Sequence, residues 1–211
     1  VEVFPDGSVR VLAPVGGSTE RIEQILARKA KWIVAKRREF SAMGRVTPSG
    51  RVVSGMSLRY LGRQYRIRVR RLAGHSGRPT VLHARAGVEI HAESGATQKT
   101  LQEALDAWLR QQAGLILADR LDACFPSFRR KGYAKPRLRL RSMKSRWASL
   151  STSGTLSANP TLVHEAVACI DYVLTHELCH LEHPHHGPEF FRLLTRRLPN
   201  WMALKQRLEG F

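Results

Sequence analysis

The sequence is poor in cysteine, has no long apolar run, and passes from Asp122 to Glu165 without an acidic side chain between them. Each absence excludes something. The three cysteines, Cys124, Cys169 and Cys179, are odd in number and scattered, so neither a disulfide framework nor a Cys-x-x-Cys metal site is expected, and they read as reduced packing residues. No stretch reaches the roughly 18 apolar residues of a membrane-spanning helix, and no charged segment near the N-terminus leads into a signal-peptide core. A cytoplasmic protein with no membrane partner is the expectation. The chain opens on Val1 without Met, which limits what its N-terminus says about targeting. No internal repeat or Ser-His-Asp arrangement emerges, and Gly16-Gly17-Ser18-Thr19 lacks the lysine and spacing of a phosphate loop.

What is abundant is positive charge. Thirty-five Lys and Arg against 17 Asp and Glu give +18, which favours contact with polyanions. The acid-free block carries Arg129, Arg130, Lys131, Lys135, Arg137, Arg139, Arg141, Lys144 and Arg146. It reads equally as a solvated surface that maintains solubility and as an anion site, with Arg137, Arg139, Arg141, Lys144 and Arg146 as candidate anion or substrate contacts. At 211 residues and 43% hydrophobic content the chain can bury a real core.

The patterning predicts an α+β protein. Alternation around Pro5-Asp6-Gly7 reads as a hairpin over residues 1–14. Ser18 or Thr19 caps a helix from Glu20 to Met43, with Trp32 as a packing residue. A Gly/Pro/Ser-rich connector over 44–55 follows. Strands over 57–60, 63–71, 80–85 and 88–92, with a turn over 74–79, form a small antiparallel sheet. In the second of them Tyr65, Ile67 and Val69 alternate with Arg66, Arg68 and Arg70. A long amphipathic helix occupies 98–123. A strand over 137–141 is then partnered by one starting at Gly154, with 149–154 as the turn, and further helices follow Glu189 and Pro199. The expected organisation is an N-terminal α+β subdomain over 1–95, a small antiparallel sheet with a helix, followed by a minimal catalytic domain over 96–211.

The most informative stretch is His176-Glu177-Leu178-Cys179-His180. Val163, Val167, Ile170, Leu174, Leu178 and Leu181 recur at helical spacing, predicting a helix over 165–182. On it, histidines four apart project from one face, close enough for both imidazoles to hold one metal ion. Zinc is the natural candidate, since neutral imidazoles suit it and a catalytic site uses three protein ligands. Glu177 sits beside the metal position, where a carboxylate can take a proton from an attacking water and pass it to a leaving group. A third ligand must follow the end of the helix, because on a straight helix His186 would lie about 15 Å from His176. Pro184 supplies the break and Gly187 freedom beyond it. His186 then leads as third ligand, with His183 competing. His75, His83 and His91 lack metal-ligand spacing and read as surface or sheet histidines.

Arg146-Trp147-Ala148-Ser149-Leu150-Ser151, Ile170-Asp171-Tyr172-Val173, His176-Glu177-Leu178-Cys179-His180 and His186 together resemble the YgjP-like zincin metallohydrolases, relatives of the SprT-like and WLM metallopeptidases. The specific motifs lie between Met143 and Phe191. The resemblance implies a zincin-like fold, Zn²⁺ as cofactor, His176, His180 and His186 as ligands and Glu177 as the catalytic carboxylate. It also implies an edge strand beside the metal helix that pairs with extended substrate. Ala148 and Leu150 depart from the family, which usually has Gly and Cys there, so the neighbouring turn is where this chain is expected to differ.

Three functions are carried forward. The first is a zinc-dependent metallopeptidase acting on peptide or protein substrates, with Arg146 or Tyr172 as candidate donors to a tetrahedral oxyanion. The second is a metal-dependent nucleoside triphosphate pyrophosphatase, since proteins resembling YgjP have been linked to UTP hydrolysis. The third is a basic DNA-associated module or DNA-linked protease, as SprT-like relatives act on DNA-bound proteins; its nucleic-acid contacts would be sequence-independent.

Overall fold

The computed structural model describes residues 1–3, 9–11, 18–42, 51–72, 77–84 and 87–209. The turn expected at Pro5-Asp6-Gly7, residues 44–50 of the connector and residues 74–76 of the later turn, His75 included, lie outside the described residues. Two compact units emerge: residues 1–44 with 206–211, and residues 45–205.

In the first unit, strands β1 (Glu2–Val3) and β2 (Val9–Arg10) pair antiparallel, as a hairpin requires. Helix α1 spans Thr19–Ala42, and the hydroxyl of Ser18 accepts the Arg21 backbone N–H at its start. Trp32 does not pack inward. It is 37% exposed, with the Lys29 ammonium 5.5 Å from its ring centroid, so a cation covers it instead of a core.

The second unit opens with β3 (Ser57–Tyr60), β4 (Arg63–Arg71), β5 (Thr80–Ala84) and β6 (Gly87–Ala92), in the order β3-β4-β6-β5. The sheet is mixed, whereas wholly antiparallel pairing was expected: β6 runs parallel to β4. Burial explains the order. Val88, Ile90 and Ala92 are fully enclosed, so β6 takes the interior position, while Thr80, Leu82 and His83 of β5 are exposed and suit an edge.

Helix α2 (Gln98–Cys124) starts at Thr97, whose side chain accepts the Thr100 backbone N–H. It buries Leu101, Leu105, Leu109, Ala113, Leu117 and Leu121, a repeat near one turn that makes a single apolar stripe. After a short helix α3 (Pro126–Arg129) comes a second sheet of β7 (Arg137–Leu140), β8 (Ala148–Leu150) and β9 (Thr155–Ala158). Its order is β7-β9-β8. β9 pairs with β7 in parallel and with β8 antiparallel, so the hairpin before the metal-site helix is β8–β9 and Ser149 and Leu150 belong to a strand, not to a turn. β8 was missed because it is three residues long and breaks no periodicity.

A 3-10 turn (Pro160–His164) leads into helix α4 (Val167–Cys179), followed by α5 (Pro188–Arg197) and α6 (Trp201–Glu209). The start of α4 is fixed by the β3–β4 turn. Leu61 and Gly62 donate their N–H groups to the carbonyls of Val163 and His164. Gly62 has φ +76°, and a Cβ there would sit 2.8 Å from Ala166 Cα, so only glycine allows this approach. Arg59 pairs with Glu165 at 2.8 Å, and the buried His164 ring donates from Nδ1 to the Arg59 carbonyl. Farther along, Arg120 of α2 grips Asp171 through two hydrogen bonds of 2.7 and 2.9 Å. Among the described residues no helix is long and apolar enough to cross a membrane.

Candidate metal centre

Helix α4 buries most of its side chains, including Ile170, Val173, Leu174 and Leu178, so the residues it presents to the cleft stand on a rigid element. The helix ends at Cys179, three residues before the expected Glu182. The chain tightens there: Leu181 and Glu182 donate to the carbonyls of Leu178 and Cys179, three residues back, before Pro184 forbids further helix. That early exit returns the chain towards the helix it has just left.

His176, His180 and His186 consequently meet. One ring nitrogen from each lies within 4.8 Å of the other two, and Nε2 of His176 is 2.9 Å from Nε2 of His186. The ring centroids are 5.2, 4.9 and 4.6 Å apart. Nδ1 of His180 is 3.0 Å from the His183 carbonyl, an acceptor only, so the proton belongs on Nδ1 and the Nε2 lone pair is left for a ligand. His183 therefore contributes its main-chain oxygen, and its ring is not in the cluster. Burial, followed by the neighbouring His180, His186 and Lys205, pushes His176 down to about 4, and burial also lowers His186. Three converging imidazoles are a donor set suited to a divalent cation, and Nδ1 of His176 is buried with no hydrogen-bond partner.

Glu177 is 8% exposed. Burial pushes its carboxyl up to about 7, opposed by the Leu150 backbone N–H, which it accepts, and by the Arg146 guanidinium. Strand β8 thus holds the acid in place, a contribution invisible without β8 itself.

The cleft of about 820 Å³ is lined by β8 and its flanks on one side and by α4 and the returning loop on the other. Arg146 and Tyr172 line it together with Glu177 and the three histidines. Arg137, Arg139, Arg141 and Lys144 do not: Arg137 and Arg139 are exposed on β7, the opposite edge of the sheet from β8, and Arg141 is exposed just past its end. Tyr172 lies 6.0 Å from the His176 ring and stacks on Trp201, which stacks in turn on Phe191. The cysteines are free and outside the cluster, with burial pushing Cys179 up to about 12 and Cys124 up to about 11. His83 packs on Tyr60 and Tyr65, and His91 pairs with Glu89, as sheet histidines.

The residue most clearly overlooked from sequence is Phe190, which touches all three histidine rings. Its position four residues after His186 was the available signal.

The whole chain, residues 1–211, matches the family described as YgjP-like, metallopeptidase domain. No curated protein matches it. Similar crystal structures include two metallopeptidase zymogens. The metallopeptidase zymogen of Pyrococcus abyssi abylysin is 25% identical over 44% of this chain and 92% of its own, with a TM-score of 0.39. That of Methanocaldococcus jannaschii jannalysin is 20% identical over 44% and 86%, with a TM-score of 0.38.

Proposed function

Since the chain belongs to the YgjP-like metallopeptidase-domain family, we propose that it is a zinc-dependent peptidase in which His176, His180 and His186 hold the metal and Glu177 is the general base. Residues 96–211 form its catalytic domain in this reading, with 1–95 as the N-terminal subdomain. The observation that carries it is the convergence of three imidazoles beside a buried carboxylate at the floor of an open cleft.

When bound, Zn²⁺ supplies Lewis acidity, polarising the scissile carbonyl and acidifying water. Glu177 does the proton work. Held by the Leu150 N–H, it takes a proton from the attacking water and returns it to the leaving amine. Arg146 and Tyr172 line the same cleft and are the candidates to steady the developing oxyanion. Apart from the Leu150 N–H that Glu177 takes, the edge of β8 away from β9 can pair with an extended peptide.

Zinc-loaded protein incubated with an unfolded protein substrate tests this reading: cleavage is expected, with loss in Glu177→Gln. Release of pyrophosphate from UTP without peptide cleavage would replace the reading by nucleotide hydrolysis. That alternative is less favoured, because Arg146 is the sole cation of the basic block among the residues lining the cleft.

A second reading, sequence-independent contact with nucleic acid, is favoured by one observation. Arg137 and Arg139 stand exposed on an edge strand with Arg141 just past its end, and among the described residues none of the three forms an ion pair. Binding to duplex DNA that weakens steeply with salt is its signature, and absence of binding at low salt removes it.

A further inference from the structure

The three imidazoles reach the same point by different routes. His176 stands on α4 and His180 caps its C-terminus, whereas His186 arrives on the exposed loop between Pro184 and Pro188. Nothing in the helix explains why the loop ligand should stay in register with the other two. A ring that must be ordered each time the site forms carries an entropic cost in its side chain and in its backbone.

Phe190 lies where it can remove that cost. It is fully buried on the first turn of α5, four residues beyond His186. Its ring centroid is 4.9 Å from His176, 4.7 Å from His180 and 4.6 Å from His186, so it is nearly equidistant from all three. Its planes are steep to His176 (69°) and His186 (73°) and shallower to His180 (33°), so edges and faces alternate as aromatic quadrupoles prefer. Of the neighbouring aromatic side chains, Tyr172 approaches His176 at 6.0 Å and Phe191 approaches His186 at 6.2 Å, both farther than Phe190 stands from any of the three. Gly187 and Pro188, at the N-cap and first position of α5, fix where the helix begins and hence where this ring falls.

We propose that Phe190 is a positioning residue for the metal centre: an aromatic floor that couples the loop ligand His186 to the helix ligands His176 and His180 and keeps water from the rear of the donor set. The apolar shell around a metal site governs its solvent access and local polarity. A side chain in contact with every ligand is the most direct means of imposing both. The inference rests on the reading that these three histidines hold a metal ion, and it extends that reading to what pre-forms the site.

The test compares two phenylalanines of equal burial. Phe190→Leu and Phe128→Leu each remove a ring from a fully buried position, but Phe128 lies on α3 and touches none of the histidines. Metal affinity is read by chelator competition with Zn²⁺, well below the thermal midpoint of each protein, and ligand geometry by the visible spectrum of the Co²⁺ form. Phe190→Leu is expected to weaken Zn²⁺ binding about tenfold or more and to change the Co²⁺ spectrum. Phe128→Leu is expected to lower thermal stability while leaving both readouts as in the parent. Equal metal affinity and an unchanged spectrum in Phe190→Leu would overturn the proposal, and so would an equal loss in both variants, since a general loosening would then explain it. If the parent protein itself takes up no metal, the underlying ligand assignment fails, a separate and distinguishable result.

Discussion

At the N-terminal end of α4 the polar groups find partners: Glu165 pairs with Arg59, the His164 ring donates to the Arg59 carbonyl, and Asp171 takes two hydrogen bonds from Arg120. At its C-terminal end, one to three turns later, the pattern reverses. Nδ1 of His176 is buried without a partner, two Nε2 atoms face each other at 2.9 Å, and a carboxyl is buried far enough to be pushed up to about 7. One helix therefore carries both a satisfied anchor and an unsatisfied working end. Buried polar groups are normally paired, so an unpartnered ring nitrogen and a carboxyl raised by burial, set close together, mark a working site and not a structural one. The anchored end contributes stability to the unit that carries the site, through the holds at Gly62, Arg59 and Arg120.

The comparison is broken most forcefully at Glu177. Glu177→Gln is expected to reduce peptide cleavage by about 10²–10⁴-fold with metal content unchanged, the scale of a lost general base. Retained turnover in a metal-replete variant would show that the carboxylate does not move the proton.

The same substitution should have the opposite effect on folding of the metal-free protein. An unfolded Glu titrates near 4.5, whereas burial holds Glu177 near 7 in the fold. Between those values the unfolded chain has released a proton that the folded chain keeps, so stability falls as pH rises through this window, by about 3 kcal/mol in all. Glu177→Gln escapes that loss. Its thermal midpoint should exceed the parent's above pH 7 and converge with it below pH 4.5, and a constant offset at every pH would contradict the assignment.

At the anchored end the expectations concern stability first. Gly62→Ala places a Cβ against Ala166 at a positive φ and should cost about 3 kcal/mol, measured by denaturant unfolding. Arg120→Met leaves the half-buried Asp171 without its two hydrogen bonds and should cost about 2 kcal/mol. Both variants, once folded, are expected to bind zinc within about threefold of the parent, since neither touches a ligand. A large loss of affinity with an intact fold would mean that the two ends are not separable.

How legible these two ends were in the sequence follows from the range of the interactions involved. His176, Glu177 and His180 are set by spacing within one helix, and the return of His186 follows from Pro184, so the working end could be read locally. The α+β class followed from alternating and helical apolar patterns. The anchored end depends on partners more than 50 residues away in Arg120–Asp171 and more than 100 in Arg59–Glu165, which no periodicity encodes. Strand order suffered for the same reason: β6 displaces β5 from the sheet interior through burial, and β8 earns its place by pairing with β9 and holding Glu177. Phe190 lay in between, correctly placed on a helix but silent about its three neighbours. The basic block was visible at once, yet only topology separates Arg146 in the cleft from the arginines of β7 at the far edge.

The most direct test of the central claim is a calorimetric titration of the metal-free protein with Zn²⁺, repeated on His176→Ala, His180→Ala and His186→Ala. One tight site per chain is expected in the parent, with each substitution weakening it by at least about tenfold. Saturable binding that survives loss of all three imidazoles, or a parent that binds no zinc, would contradict it.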